Sequence, residues 1–332
     1  MDVASSQGET RRPVVVATAR SFCGTDGPHQ EIIREAGMDL VLAAEDKPLD
    51  AAALRTALAA ADGAILDLDD CDASVLDACP RLRVVSRYGV GMDNVDLEAA
   101  RRLGIAVTYT PGANTTAVAE LTFGLMLSLA RRLPATIQAT RDGAWTRRTG
   151  WELAGKTLGV IGYGRIGQAV ADRARAFGMR VVASDPFAPP TDGTTALEVP
   201  ELLAVADVVS LHVGLSDDTR HLIDRAAIAR MKPGAVLINT ARGGLIDETA
   251  LADALRSKRL AGAAADSFEH EPPGDHPLLG LDTFLPTPHL GAATEEATAR
   301  MGLMASQNAL DVLQGRTPAH VIVLPDSNRR NS

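Results

Sequence analysis

Short runs rich in Val, Ile, Leu and Ala alternate with amphipathic, alanine-rich segments along almost the whole chain. Apolar runs bounded by turn residues read as buried strands, and the helical spacing between them reads as helices that cover the resulting sheet. In the first part the expected strands are residues 13–17, 40–43, 64–66 and 83–86, with a helix over 50–61. A longer helix is expected over 116–132, introduced by Asn114 and Thr115 as capping residues and stopped before Pro134. The rhythm resumes at Lys156 with LGVIG, VVAS, VVSLHV, AVLINTA and AGAAAD as strands. For this second block a six-stranded, doubly wound parallel order is the natural expectation. Beyond Pro288 the pattern gives one more helix, 295–314, and a short strand, 320–324.

Composition narrows this α/β picture. A chain of 332 residues is long enough for two domains with separate cores. With 46% hydrophobic and only 3% aromatic residues, those cores must be built from small aliphatic side chains. A net charge of -9 argues against nucleic acid as a partner, though it leaves room for a local positive pocket for a small anion. Cys23, Cys71 and Cys79 have no zinc-site spacing, which points to a reducing compartment. The first dozen residues lack the apolar core of a signal peptide, and the apolar stretch 121–130 is too short to span a bilayer. A cytoplasmic protein with no membrane partner is expected.

The first candidate chemistry is Gly162-Tyr163-Gly164-Arg165-Ile166-Gly167. A lone GxGxxG is weak, but here a strand (158–161) precedes it, a helix (168–177) follows, and the next strand (180–184) ends in Asp185. Gly162 permits the tight turn, Gly164 lets the backbone approach a pyrophosphate, and Gly167 lets helix and strand pack closely. The helix N-terminus favours the phosphates. Asp185 would accept hydrogen bonds from the adenosine ribose hydroxyls and repel a 2′-phosphate. Pro186-Phe187 offers no arginine to attract one, so NAD is expected over NADP.

Three polar groups fall where later strands end. Arg242, in NTARGGLID, would hold a substrate carboxylate bidentately and polarise a neighbouring keto oxygen. Glu271, in DSFEHEPP, and His289, in PTPHLGAAT, would form a carboxylate-supported acid/base pair. Each has a plain structural alternative: a surface turn arginine, a solvated glutamate, a loop histidine after proline. What joins them is the carboxyl edge of one sheet, where open α/β folds bind ligands.

With SRYGVGMDNVDL, NTTAVAELTFGLML, LGVIGYGRIG, MKPGAVLINTARGGLID and PHLGAAT in view, the chain resembles the D-isomer-specific 2-hydroxyacid dehydrogenases over nearly its whole length. That group includes phosphoglycerate, glyoxylate, formate and D-lactate dehydrogenases. The resemblance implies Arg242 as the substrate arginine, His289 as acid/base and Glu271 as its partner. It implies that the backbone of Gly89, Val90 and Gly91 helps hold the substrate carboxylate. Arg165 and Ile166 would lie over the pyrophosphate, and Asp266 would bind the nicotinamide carboxamide. Val213, Thr240, Ala241, His289 and Gly291 would line the cofactor.

The resemblance further implies two Rossmann/flavodoxin-like parallel-sheet domains, the NAD domain being inserted into a discontinuous substrate domain. Residues 12–106 plus 291–325 would form the substrate domain and 107–290 the NAD domain, with 1–11 and 326–332 as disordered tails. A homodimer is implied, with the 119–132 region at its interface. Two departures stand out. Gly214 replaces a proline common after LHx, and Asp67, Asp69 and Asp70 stand where phosphoglycerate-specific relatives tend to present an arginine, so they would repel a phosphate if they face the cleft. Arg87 would supply positive charge or serve the structure, and no serine-sensing regulatory domain is expected, since the sequence runs only a short way past the last strand.

The expected activity is reversible hydride transfer between NAD(H) and a small D-2-hydroxy/2-keto acid. The alternatives are the same chemistry on a phosphorylated or phosphonate acid, in a pocket shaped by residues 67–70, Tyr88 and 145–151, or an NAD-sensing, corepressor-like binding protein. His212, a second histidine near the cofactor, reads as a structural strand-end group.

Overall fold

The computed structural model describes residues 11–324; the expected tails at 1–11 and 326–332 lie, but for Arg11, outside the described residues. The described residues divide into two compact units, 11–113 with 294–324, and 114–293.

The first unit opens with β1 (Val14–Ala17), α1 (Arg20–Cys23), α2 (Pro28–Glu35), β2 (Asp39–Leu42), α3 (Ala51–Leu58), β3 (Gly63–Leu66), α4 (Ala73–Asp77), β4 (Val84–Arg87), α5 (Leu97–Leu103) and β5 (Ala106–Thr108). Aspartates start the helices as the sequence suggests: Asp50, Asp72 and Asp96 each accept a backbone N–H from the first turn of α3, α4 and α5. Gly104 closes α5 in the left-handed conformation.

The second unit contains α6 (Thr115–Arg131), α7 (Leu133–Arg141), β6 (Thr157–Ile161), α8 (Arg165–Ala176), β7 (Arg180–Ser184), β8 (Thr195–Ala196), α9 (Val199–Val205), β9 (Val208–Leu211), α10 (Arg225–Arg230), β10 (Ala235–Asn239), α11 (Glu248–Arg256), β11 (Leu260–Ala265) and β12 (Phe284–Pro286). The chain then returns to the first unit as α12 (Glu295–Leu313) and β13 (Val321–Val323).

The first sheet has the order β13-β5-β4-β3-β1-β2. Apart from β13, which pairs antiparallel to β5, this is the flavodoxin-like 2-1-3-4-5 arrangement. Because β5 is bonded to β4 and β13, the first unit runs on to Ala113, past the expected junction at 106/107.

The second sheet is parallel throughout, in the order β12-β11-β10-β9-β6-β7-β8. Counted within the unit, that is the doubly wound 3-2-1-4-5-6 order with a seventh strand added beside the sixth, one more than expected. Two strands were not legible: β8 has two exposed residues, and β12 has one buried residue and ends in proline. The first is too polar and the second too short to stand out as an apolar run.

This sheet is buried on both faces. Val236 and Ile238 of β10 and Val208 of β9 join one core with α6 and α8, while Leu237 and Val209 join another with α9, α10 and α11. A strand between two cores has no polar face, so its sequence is continuously apolar. Since every strand in the unit is parallel, all strand ends meet at one carboxyl edge. The long helix also differs from expectation. Asn114 makes no side-chain cap, and the chain continues after Arg132, in the left-handed conformation, into α7 with Pro134 in its first turn.

Candidate active site and cofactor cradle

At the carboxyl end of β6, Gly162 has φ +93°, and a Cβ there would lie 2.5 Å from the His212 carbonyl carbon. Only glycine fits such a turn. α8 begins at Arg165, earlier than expected, which puts Gly167 in its first turn; a Cβ on Gly167 would lie 2.0 Å from the Gly162 oxygen. Gly164 is different. It is the helix N-cap, it is exposed, and a Cβ there would meet nothing within 4 Å. No side chain caps α8, so its first N–H groups face an open cradle of the kind a pyrophosphate fills. Arg165 is exposed and Ile166 half-buried beside it.

Asp185, after β7, is tied to this turn. Its Oδ2 accepts the Tyr163 N–H (2.7 Å), and its Oδ1 accepts those of Phe187 (2.8 Å) and Ala188 (2.9 Å). The carboxylate is thus fixed beside the cradle, where a ribose would sit. Tyr163 adds a feature that sequence reasoning missed. Its buried ring carries a hydroxyl that donates to Asp192 (2.7 Å) and accepts from Arg175 (2.9 Å), which latches the 186–194 loop to α8.

After β9, His212 Nε2 meets Ser210 Oγ at 2.8 Å, and burial pushes its pKa down to about 4, so it is neutral and structural. Val213 is half-buried next to it. After β10, Asn239 sets the turn that presents Arg242: its Nδ2 donates to the Arg242 carbonyl (2.7 Å) and its Oδ1 accepts the Ala241 N–H (3.0 Å). A polar residue closing an apolar run is the signal that would have found it. Thr240, buried beside Ala241, shares a hydrogen bond with Thr122 of α6 (2.9 Å).

His289, after β12, faces Glu271 through Nδ1, at 2.9 Å from Oε2 and 3.2 Å from Oε1. The pair is about one quarter exposed, 26% and 27%. Burial opposes the imidazolium, yet the hydrogen bond and negative charge of Glu271 outweigh it and hold the His289 pKa above its ordinary value. Burial likewise opposes the Glu271 carboxylate, and the bonds from His289 and the Phe268 N–H (2.9 Å) hold its pKa below the ordinary value. The Arg242 guanidinium is close enough to act on both, favouring the carboxylate and disfavouring the imidazolium.

His289 has φ +55°, a left-handed backbone that costs a non-glycine residue roughly 1–2 kcal/mol. Asp266 holds the loop in that shape. Its backbone oxygen accepts the His289 N–H (2.9 Å), and its side chain accepts from Thr287 Oγ1 (2.5 Å), the Leu290 N–H (2.7 Å) and the Gly291 N–H (2.7 Å). Burial raises the Asp266 pKa, with those bonds opposing the rise. Gly291 is buried against that carboxylate.

In the first unit, Gly89, Val90 and Gly91 follow β4 and are half-buried. Buried Arg87 bonds Asn94 Oδ1 (3.0 Å), the Leu66 carbonyl (3.1 Å) and Asp67 Oδ1 (3.4 Å). Of the acidic stretch beside it, expected to repel a phosphate if it faces the cleft, Asp69 is turned inward. Asp69 is buried, bonded to Thr18 Oγ1 and accepting the Leu49 N–H (2.8 Å), so it braces its loop. Tyr88 is also withdrawn: its hydroxyl accepts from Ser21 (3.2 Å) and donates to the Thr298 carbonyl (3.0 Å). Among residues 145–151, Trp145 is 88% exposed.

The sequence matches the family described as D-isomer specific 2-hydroxyacid dehydrogenase, NAD binding domain, over residues 123–291. The chain belongs to that family. It is 46% identical to the D-3-phosphoglycerate dehydrogenase of Methanocaldococcus jannaschii over 259 residues, covering 76% of this chain and 49% of the relative. It is also 46% identical to the hydroxypyruvate reductase of Thermotoga maritima over 237 residues, 70% of this chain and 78% of that one. Among solved structures, the TT0316 protein of Thermus thermophilus superposes with a TM-score of 0.86 at 42% identity, covering 94% of this chain and all of the other. The chain spans about half the length of the phosphoglycerate dehydrogenases it matches.

Among the described residues no helix is long and apolar enough to cross a membrane, and no group of three or more His, Cys, Asp or Glu is arranged to hold a metal.

Proposed function

We propose that this chain is an NAD-dependent oxidoreductase acting between a small D-2-hydroxy acid and its 2-keto acid. The observation that carries the reading is the His289–Glu271 pair under the influence of Arg242, on the same sheet edge as an open glycine cradle with a fixed carboxylate. The cradle fits the cofactor: Gly164 leaves the space, α8 supplies free N–H groups, and Asp185 takes the ribose hydroxyls. When bound, NADH supplies the hydride to the keto carbon.

The protein's own part follows from the site. Arg242 holds the carboxylate and polarises the keto oxygen. Glu271 fixes the His289 tautomer with its proton on Nδ1 and stabilises the imidazolium. Nε2 then gives its proton to the oxygen during reduction and takes the hydroxyl proton during oxidation. Asp266 orients the His289 loop and is the carboxylate that would meet the nicotinamide carboxamide. Arg165, Ile166, Val213, Thr240, Ala241 and Gly291 line the cofactor.

Unphosphorylated acids are favoured because Arg87, next to Gly89, already serves Asn94, Leu66 and Asp67. A homodimer is supported by α7, which has no buried residue and presents Leu133 and Ile137 to solvent, with Trp145 exposed just beyond it. Three free cysteines suit a cytoplasmic setting.

The test is NADH oxidation with glyoxylate, pyruvate, hydroxypyruvate and 3-phosphohydroxypyruvate, by the wild type and His289→Asn. Turnover of at least one unphosphorylated acid is expected, with a loss of about 10²–10⁴-fold in the variant. Tight NADH binding without turnover on any of them, or a variant as fast as the wild type, would refute the assignment.

A further inference from the structure

Glu271 is carried by the irregular segment between β11 and β12, and its bond to the Phe268 N–H is local to that segment. Something outside the segment must fix its place. Glu248, in the first turn of α11, meets the segment twice. Its Oε1 accepts the Glu269 N–H (3.0 Å), and its Oε2 is 3.1 Å from His276 Nε2. These contacts fall on either side of Glu271 and close residues 269–276 into a loop anchored on one carboxylate. We propose that Glu248, together with His276, is a positioning residue that clamps the Glu271-bearing loop and so keeps the carboxylate on His289. The proposal rests on the acid/base reading of His289 given above.

Three details make the clamp directional. α11 is a firm base, since Asp247 caps it by accepting the Ala250 N–H (2.9 Å) and its face of Ala250, Leu251, Ala254 and Leu255 lies in the core. His276 Nδ1 faces the Leu278 N–H (3.3 Å), so Nε2 carries the proton and donates to Glu248. The pair is largely enclosed, with side chains 20% and 14% exposed, and the His276 ring packs edge-on against Phe268. The Glu269 carboxylate points elsewhere, to Arg220 (3.0 Å) and His221 (3.5 Å), so the segment is also held from the α10 side. The charged groups acting on His289 itself are Glu271, Arg242 and Asp266. Of these, Glu271 is the one whose position depends on Glu248.

The experiment titrates the His289 ring by NMR in the full chain labelled at histidine Cε1, with the resonance assigned by its loss in His289→Asn. In Glu248→Ala, His289 should titrate at lower pH than in the wild type. The kcat/KM for the keto acid should fall about 10–100-fold, while KM for NADH stays unchanged. Glu248→Gln should be intermediate. Its amide has one acceptor oxygen, and His276 cannot swap tautomers while Nδ1 faces Leu278. His276→Ala, which leaves the Glu269 contact, should shift in the same direction by less, and these two variants carry the test if the alanine at 248 does not fold.

A wild-type His289 titration in Glu248→Ala, even with a lowered Tm, overturns the clamp and leaves only a structural role. The acid/base reading fails separately, if His289→Asn turns over normally. The ring titration needs no turnover, so it judges the clamp either way.

Discussion

Gly243→Ala tests whether the presentation of Arg242 and the placement of Glu271 are one construction. Gly243 follows Arg242, and its φ is not in the left-handed region, so alanine meets no backbone strain there. What it meets is the chain carrying Glu271. An added Cβ would lie 1.9 Å from the Phe268 carbonyl carbon and 2.3 Å from the Glu269 nitrogen, both backbone atoms that cannot rotate aside. Reaching the 3.4 Å of an ordinary contact requires the two segments to part by about 1.5 Å.

A shift of that size stretches the 2.9 Å His289–Glu271 bond beyond hydrogen-bonding range and displaces Arg242 at the same time. Overpacking of this kind costs about 1–3 kcal/mol, or roughly 2–4 °C of Tm per kcal/mol in a unit of this size. The catalytic cost is larger, about 10²-fold in kcat/KM, because a misplacement of about 1 Å is enough for that. NADH affinity should hold, since the cradle is built on β6 and α8. The assay is keto acid reduction and NADH binding on the same preparation, with a thermal melt. Wild-type kcat/KM alongside an unchanged melt would show that the close approach does not couple the two residues, and the reasoning fails.

Glu271→Gln removes the charge that raises the His289 pKa, so the decline of reduction with rising pH should move to lower pH; a pH–rate profile superimposable on the wild type contradicts the pairing. The stability lost in that variant, measured by urea unfolding, should be greatest between the two ordinary pKa values. It should shrink as pH rises through the raised His289 value, where the imidazolium is gone and only the Phe268 and Arg242 contacts of Glu271 remain, and vanish as pH falls through the lowered Glu271 value, where the carboxylate is gone; a difference that does not shrink in alkali speaks against it. Gly164→Ala places a Cβ in open space, so it should cost no more than about 1 kcal/mol of stability while weakening NADH binding measured by fluorescence, and an unchanged Kd would remove Gly164 from the pyrophosphate seat.

What could be read from the chain was whatever is local or periodic. The apolar runs locate most of the strands because a sheet buried on both faces needs them, and GYGRIG with Asp185 declares its turn within one βαβ unit. The carboxyl-edge rule then brings Arg242, Glu271 and His289 to the same side as the cradle, since parallel strands all end there. Polar residues were the harder class, because their partners are distant in sequence. Asp69 was expected to repel a phosphate if it faced the cleft, yet Thr18 and Leu49, from two other segments, draw it inside. Tyr88 looked like a pocket residue, yet its hydroxyl donates to the Thr298 carbonyl, supplied by the returning helix α12.

The same distinction divides the site itself. Groups proposed to touch reactants sit after strand ends and can be found by counting strands. Groups that hold them sit one step behind, as Asn239 does for Arg242, Asp266 for the His289 loop and Glu248 for the Glu271 loop. Their spacing follows no period, because each answers to a three-dimensional neighbour. A carboxylate such as Glu248 therefore reads in the sequence as an ordinary first-turn acid of α11, favoured there by the helix dipole. Only the packed structure gives it two donors from one loop, and with them a part in the chemistry of a residue it does not touch.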